Sequence, residues 1–418
     1  MKGIAKEWAY QFKHYNKNVR LFLIASVLSN MGMGVFMIMY NYYIRELGYL
    51  DDVNGRVIAA QATATAIALL PAGLLSDRIG RKKVIMAGAL MLGVSLFLRS
   101  VVEIEGLLLT GAFLTGAFMS FVQVSSIPLL AENSTEKQRV HLFSFNFALI
   151  MVANVIGNGM GGLMSDGARL LLDMTALQSL RLTLLTGACL SFAAIFPVLK
   201  IKEERKLTVT KTGASSFKEI LHTNRAGIKM IALFAVAQLI IGFGSGLVIP
   251  YLNLYFTDRF DVSYTIVGLI LALGQGMTAV AFMIGPTLVQ KVGEVRAVVI
   301  LQLSSLPFLL VTAYTQNIWF AVIGFLFRQA LMNAGNPIQM SLMMRSVGDN
   351  IKGLANSIGQ MVFQLGWAIM GPVSTSIVLI YGPYYGWAWV FTLTCALYLT
   401  GSIYFYIVFR KVPPSSDI

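Results

Sequence analysis

The sequence predicts an all-α membrane protein with twelve transmembrane helices arranged as two six-helix bundles. Its 418 residues are 56% hydrophobic and only 12% charged, whereas soluble domains carry about 25% charged residues. Apolar runs long enough to cross a bilayer recur along the chain, and one long polar interval divides them into two groups of six. These three observations together exclude an ordinary soluble domain.

Each predicted span has about 20 or more mostly apolar residues, which is the length a transmembrane helix needs. Spans 1 to 12 are predicted at residues 20–44, 55–76, 83–102, 106–131, 140–164, 178–200, 226–256, 265–290, 296–314, 317–344, 353–380 and 386–410. The polar interval between spans 6 and 7 predicts an N-terminal bundle over 1–200, a cytoplasmic linker over 201–225 and a C-terminal bundle over 226–418.

Lysine and arginine are distributed unevenly between the two sides of this predicted topology. With the N-terminus inside, the inner segments hold 25 of the 32 basic residues, and the outer loops hold six. These six are Arg45, Arg56, Arg99, Arg169, Arg181 and Arg259. Cytoplasmic loops are enriched in basic residues, so we expect both termini in the cytoplasm and the protein in the cell membrane. The net charge of +13 then comes mainly from basic residues beside the inner leaflet, and it does not indicate a nucleic-acid partner.

The two halves of the chain resemble each other at an offset of about 213 residues. Gly55 aligns with Gly268 and Gly80 with Gly293, and similar tyrosine-rich and asparagine-rich stretches end spans 1 and 7. Each match is weak, but together they predict a duplicated six-helix unit. Parallel repeats of this kind occur in secondary transporters whose two bundles move about a central site.

The stretch "GLLSDRIGRKK" at 73–83 falls between predicted spans 2 and 3. It resembles the cytoplasmic loop signature of the major facilitator superfamily, with Gly73, Asp77, Arg78, Gly80 and Arg81 at the signature positions. The resemblance implies the two-bundle fold of that family and transport by alternating access. It also implies that Asp77 engages a helix N-terminus of the other bundle in one conformation. The alternative is a simple positive-inside anchor.

Two further motifs are similar to family patterns. Glu132 and Arg139 have six residues between them and resemble the family's acidic-x6-Arg arrangement, which implies a cytoplasmic charge network with Asp77 and Arg78. Glycines in "VANVIGNGMGG", among them Gly157 and Gly161, resemble the span 5 motif of antiporters, although Asn158 stands where that motif has proline. The alternative for Glu132 and Arg139 is a solvated pair of loop charges that contributes little. The alternative for the glycines is ordinary packing of small residues between helices.

Arg328 is the one charge deep inside a predicted span, about eleven residues or roughly 16 Å into span 10. A charge at that depth is costly, so it is a candidate for contact with substrate or for coupling. A structural arginine bonded to neighbouring carbonyls is the alternative. The other candidate substrate-binding residues are amides and one tyrosine within the spans: Asn30, Tyr40, Asn41, Gln123, Gln238, Asn253, Gln329, Asn333 and Asn336.

The leading interpretation is a secondary transporter that exports a small amphipathic organic compound with proton antiport. No carboxylate lies at the middle of a span, so the alternative is a transporter or facilitator of an anionic or lipid-like solute with Arg328 as its counter-charge. A membrane enzyme would need clustered acid, base or metal ligands, and an ATP-driven pump would need a phosphate-binding Gly-Lys loop. The sequence shows neither. We therefore expect no cofactor or metal, a small-molecule substrate, protons, the lipid bilayer as surroundings, and a monomer.

Overall fold

The computed structural model describes residues 15–202, 225–348 and 351–410, and in these ranges it contains helices but no strands. The helices are α1 (Lys17–Glu46), α2 (Asp51–Ile79), α3 (Arg81–Val101), α4 (Glu105–Glu132), α5 (Glu136–Leu172), α6 (Ala176–Ala193), α7 (Ile195–Leu199), α8 (Arg225–Val248), α9 (Leu252–Phe260), α10 (Tyr264–Val292), α11 (Glu294–Tyr314), α12 (Ile318–Ala334), α13 (Asn336–Ser346) and α14 (Lys352–Phe409).

Eleven helical segments in the described part of the chain are long and apolar enough to cross a membrane. The longest of them, α14, has 58 residues and is broken at Gly382, where φ is 76° and ψ is 175°. Pro383 follows at once and cannot continue the preceding hydrogen-bond ladder. α14 therefore holds predicted spans 11 and 12 joined without a loop, and the all-α fold with twelve spans is confirmed.

Predicted span 7 is interrupted by a single 3₁₀ turn at Ile249–Tyr251, between α8 and α9. Pro250 lies in this turn and has no N–H to donate. Side chains of α14 bond to two carbonyls of the last turn of α8: Ser374 Oγ donates to Leu247 O at 2.5 Å, and Thr394 Oγ1 donates to Gly244 O at 3.2 Å. Such bonds satisfy polar backbone groups that lipid cannot.

The helix bounds repeat at an offset of 213. α2 and α10 both have 29 residues and begin at 51 and 264, while α3 and α11 both have 21 residues and begin at 81 and 294. The residues before α3 and α11 are Gly80 and Gly293, with φ of 102° and 82°. Only glycine adopts such a conformation without strain, so the same tight reversal occurs in both halves.

The chain forms two compact units. One is built from the described residues of Met1–Gly48 and Ile67–Arg205, and the other from those of Tyr49–Ala66 and Lys206–Ile418. α2 is thus shared, because its first part, up to Ala66, belongs to the second unit. The predicted boundary between the bundles stays a prediction, and residues 203–224 of the predicted linker lie outside the described residues.

Glycines bring helices close together in the second unit. A Cβ at Gly242 of α8 would lie 2.8 Å from Phe363 O of α14, and one at Gly366 would lie 2.8 Å from Gly242 Cα. A side chain at either position would force the backbones apart, so these small residues set the distance between predicted spans 7 and 11. On the cytoplasmic half of the predicted topology, Phe234 stacks on Phe409 with ring centroids 4.1 Å apart.

Candidate functional site

Four of the predicted substrate-binding residues lie together on predicted span 10. At 100° per residue, Gln329, Asn333 and Asn336 fall within a sector of about 60° on one side of the helix. Asn336 Nδ2 donates to Asn333 Oδ1 at 3.4 Å, and Asn333 Nδ2 donates to Thr278 Oγ1 of α10 at 3.4 Å. We call Arg328, Gln329, Asn333 and Asn336 the polar ladder.

The polar ladder runs from an exposed end to a buried end. Asn336 is exposed, Asn333 is half-buried, and Gln329 and Arg328 are buried. An exposed amide at this depth of a membrane protein is too costly to face lipid, so we infer that it faces water. Hydrogen bonds join the ladder in two pairs, Asn336 with Asn333 and Arg328 with Gln329.

Arg328 is only 3% exposed, and its guanidinium points toward the last predicted span. One terminal nitrogen donates to Gln329 Oε1 at 3.0 Å and the other donates to Tyr398 Oη of α14 at 2.7 Å. Its carbon lies 5.4 Å from the Tyr398 ring centroid. Tyr398 is held in turn against α8, since a Cβ at Gly244 would lie 2.6 Å from its Cε1.

The positive charge of Arg328 has no carboxylate partner among the described residues. No ion pair within 4 Å is formed there, and Nε is buried without a hydrogen-bond acceptor. An arginine has five N–H groups, and two of them are used by Gln329 and Tyr398. An uncompensated buried charge is strongly unfavourable, so the site suits an anion or an electron-rich polar group.

The other six predicted binding residues lie on helices other than predicted span 10. Asn30 Nδ2 donates within α1 to Ser26 O at 2.8 Å, and Gln123 of α4 is exposed. Gln238 is half-buried, while Asn41 and Asn253 are buried and hold partners of their own. A role for them in binding stays a prediction.

Tyr40, the sixth of these residues, is covered by an arginine that the sequence analysis assigned to an outer loop. Arg99 lies in the last turn of α3, is buried, and places its guanidinium carbon 3.9 Å from the Tyr40 ring centroid. Gly111 of α4 leaves room for its aliphatic stem, because a Cβ there would lie 2.7 Å from Arg99 Cγ. The outer-loop assignment of Arg99 was wrong, because a long side chain near a helix end can fold back into the bundle.

Glu132 of the predicted cytoplasmic charge network pairs with Arg81, which that prediction did not include, and the network itself stays a prediction. Arg81 Nε donates to Glu132 Oε1 at 3.2 Å, which joins the start of α3 to the end of α4. Arg81 also donates to Ser76 Oγ at 3.0 Å, and that hydroxyl bonds to Ser125 Oγ at 2.7 Å. Gly73 and Arg78 lie in α2 near these groups in sequence, and Arg78 is exposed. The side chains of Asp77 and Arg139 lie outside the described part of the structure.

The C-terminal half contains an ion pair at the equivalent positions, with the acid and the base exchanged. Arg345 NH2 forms an ion pair with Glu294 Oε2. These positions are 213 residues beyond Glu132 and Arg81, so an acid replaces the base and a base replaces the acid. The similarity between the two halves of the sequence does not show this equivalence, because the acid and the base exchange positions.

The predicted glycine motif of α5 packs against α1 in the first unit. A Cβ at Gly157 would lie 3.1 Å from Gly34 Cα and closer still to Met31 O, and one at Gly161 would lie 3.3 Å from Met39 Cγ. With its amide nitrogen turned toward α1, Asn158 donates to Gly34 O at 3.1 Å. The residue that departs from the antiporter pattern thus adds a helix-to-helix hydrogen bond.

Two sequence-related halves built from long apolar helices define a multi-pass membrane protein. The model of the Major Facilitator Superfamily matches residues 22–369, with a further match at 234–418. The chain belongs to that superfamily, which consists of transporters rather than enzymes.

Curated relatives include resistance proteins from bacteria. The quinolone resistance protein NorA of Staphylococcus aureus (strain MRSA252) is 24% identical over 250 residues, which cover 60% of this chain and 61% of NorA. The chain therefore spans about three fifths of the curated relatives that match it over this region. The class H tetracycline resistance protein of Pasteurella multocida is 24% identical over 424 residues and covers 96% of this chain and 99% of its own length.

Solved structures share the fold at low sequence identity. A D-xylose-proton symporter superposes with a TM-score of 0.75 at 16% identity and covers 95% of this chain and 98% of its own. The nucleoside transporter NupG superposes with a TM-score of 0.72 at 15% identity and covers 94% of this chain and 99% of its own. These similarities confirm the predicted two-bundle fold.

Proposed function

We propose that the protein exports small amphipathic organic compounds across the cell membrane by alternating access, driven by proton antiport. The observation that carries this proposal is the polar ladder, in which three amides and one buried cation lie along one predicted span. Amides and Arg328 would orient a compound, while the surrounding apolar side chains would contact its hydrophobic part.

The resistance proteins among the relatives and the glycine motif of α5 support export over import. The tetracycline resistance protein matches the chain nearly end to end, and NorA matches three fifths of it. The glycines of α5 that resemble the antiporter motif form a close helix seam with α1. The proposal places the protein in the plasma membrane with both termini in the cytoplasm, as the distribution of basic residues indicates.

Proton release in everted membrane vesicles tests the proposal. Vesicles containing the protein are acidified inside by respiration, and lipophilic cations, zwitterions, organic anions and neutral aromatic compounds are added in turn. Antiport predicts that at least one class of compound collapses part of the pH gradient, and that vesicles without the protein show no such change. No proton release with any class, from vesicles that contain folded protein, would contradict proton antiport.

The second candidate function is transport of an anionic or lipid-like solute with Arg328 as the counter-charge. The absence of a carboxylate partner for Arg328 within the described residues favours it. The same vesicle assay separates the two candidates, because an organic anion would then produce the signal and a lipophilic cation would not. Arg328→Gln should abolish that signal while the protein still assembles in the membrane.

A further inference from the structure

Tyr398 extends the polar ladder beyond the residues that the sequence indicated. It is 1% exposed, and its hydroxyl oxygen accepts a hydrogen bond from Arg328. This is the one hydrogen bond of the Tyr398 hydroxyl among the described residues, so its proton is not donated to any of them. Nε–H of Arg328 is buried and has no acceptor in the same part of the chain. The tyrosine hydroxyl and the guanidinium, from two different predicted spans, therefore each keep a donor for a ligand.

Buried donors without acceptors cost free energy that a suitable ligand recovers. From this geometry we infer that Arg328 and Tyr398 form a binding site for the carboxylate of a monoanionic amphipathic compound. A carboxylate is planar and accepts the parallel N–H groups of a guanidinium, and its remaining lone pairs suit the tyrosine hydroxyl.

The charge of the site limits the ligand to a single negative charge. Arg328 contributes one positive charge, and no ion pair in the described structure adds a second cation to it. A dianionic phosphate would leave one charge uncompensated in a medium of low dielectric constant. A neutral amide of the same shape would leave the cation uncompensated, so the site selects carboxylates against both.

The route to the site follows the polar ladder. Asn336 is exposed and Asn333 is half-buried, and Gln329 bonds directly to Arg328. A carboxylate that enters at Asn336 would replace hydrogen bonds from water with hydrogen bonds from amide N–H groups before it reaches the guanidinium. The inference names a ligand class for the proposed transport site and rests on the proposed function, but it concerns binding alone.

Three probes of similar shape test the inference on the purified full-length protein in detergent. Benzoate, benzamide and phenyl phosphate are titrated calorimetrically, and the binding constants are compared. We expect benzoate to bind at least tenfold more tightly than the other two. Equal binding of benzoate and benzamide would overturn the inference. So would displacement of benzoate by an equal concentration of chloride, which would identify a halide site.

A matched pair of variants tests the role of Tyr398. Tyr398→Phe keeps the ring against Gly244 and removes only the hydroxyl, so benzoate affinity should fall by roughly tenfold. Tyr404→Phe is the control, because the Tyr404 hydroxyl donates to Leu233 O at 3.2 Å on the same helix, away from Arg328. Unchanged benzoate affinity in Tyr398→Phe would show that Tyr398 only packs.

Failure of this inference is distinguishable from failure of the proposed function. Binding to purified protein requires no transport, so benzoate selectivity can persist in a protein that releases no protons. Conversely, proton release by cations with no carboxylate binding would support export and overturn the carboxylate site. If Tyr398→Phe does not fold, the comparison of the three probes on the unmodified protein still decides.

Discussion

Two ion pairs between helix ends differ in how far their carboxylates are exposed to water. Glu132 is 55% exposed in its pair with Arg81, whereas Glu294 is 12% exposed in its pair with Arg345. Exposed pairs contribute about 0–1 kcal/mol because water screens them. The attraction in the second pair is screened less, because the Glu294 carboxylate is largely shielded from water, so the loss of that pair costs more.

This difference predicts that the C-terminal pair matters more for stability. Glu294→Gln should lower the free energy of unfolding by about 1–3 kcal/mol, while Glu132→Gln should change it by less than about 1 kcal/mol. Thermal unfolding of the two purified variants in the same detergent measures both effects. A larger loss in Glu132→Gln than in Glu294→Gln would contradict the assignment.

Residue type and position in the sequence indicated part of the site. Arg328, Gln329, Asn333 and Asn336 could be predicted because polar residues are costly inside a span wherever they point. Tyr398 could not, because a tyrosine in a membrane helix is common and its hydroxyl direction depends on packing. Arg99 was misplaced for a similar reason, since a hydropathy pattern does not show where a long side chain turns.

At the scale of helices, glycine spacing determines which pairs approach closely. Gly157 of α5 faces the backbone of α1, whereas a Cβ at Gly159, two residues further on, would meet nothing within 4 Å. The sequence showed a glycine-rich stretch, but the spacing alone did not show which of its members pack. The contact with α1 is what distinguishes a glycine that the packing requires from one that a larger residue could replace.

The α5 glycines provide a matched test of this seam. Gly157→Ala should destabilise the protein by about 1–3 kcal/mol, because the added methyl group overlaps backbone atoms of α1. Gly159→Ala adds the same methyl group where there is space and should leave stability unchanged or slightly improved. Chemical unfolding of both variants measures the difference, and equal stability would show that the seam is looser than described.

At the scale of the whole molecule, the duplicated six-helix pattern could be predicted almost completely. Twelve apolar spans, the offset of 213 and the paired glycines before α3 and α11 all follow from composition and spacing. Two features could not be predicted. The break at Gly382 replaces a loop between spans 11 and 12, and the first part of α2 packs with the second unit. Both depend on tertiary contacts that no local pattern encodes.

The central claim is that the polar ladder faces water and binds the transported compound. Asn333→Cys, in a protein whose native Cys189 and Cys395 are replaced by serine, places a reactive thiol on the ladder. Phe327→Cys in the same background is the control, because Phe327 is an exposed apolar residue on another side of the same helix.

Labelling of these two variants by a water-soluble maleimide is the most direct test. The account predicts that Asn333→Cys reacts readily and that a compound active in the vesicle assay slows its labelling severalfold, while Phe327→Cys reacts poorly with or without that compound. Labelling of Asn333→Cys that is absent, or that the compound leaves unchanged, would contradict the account.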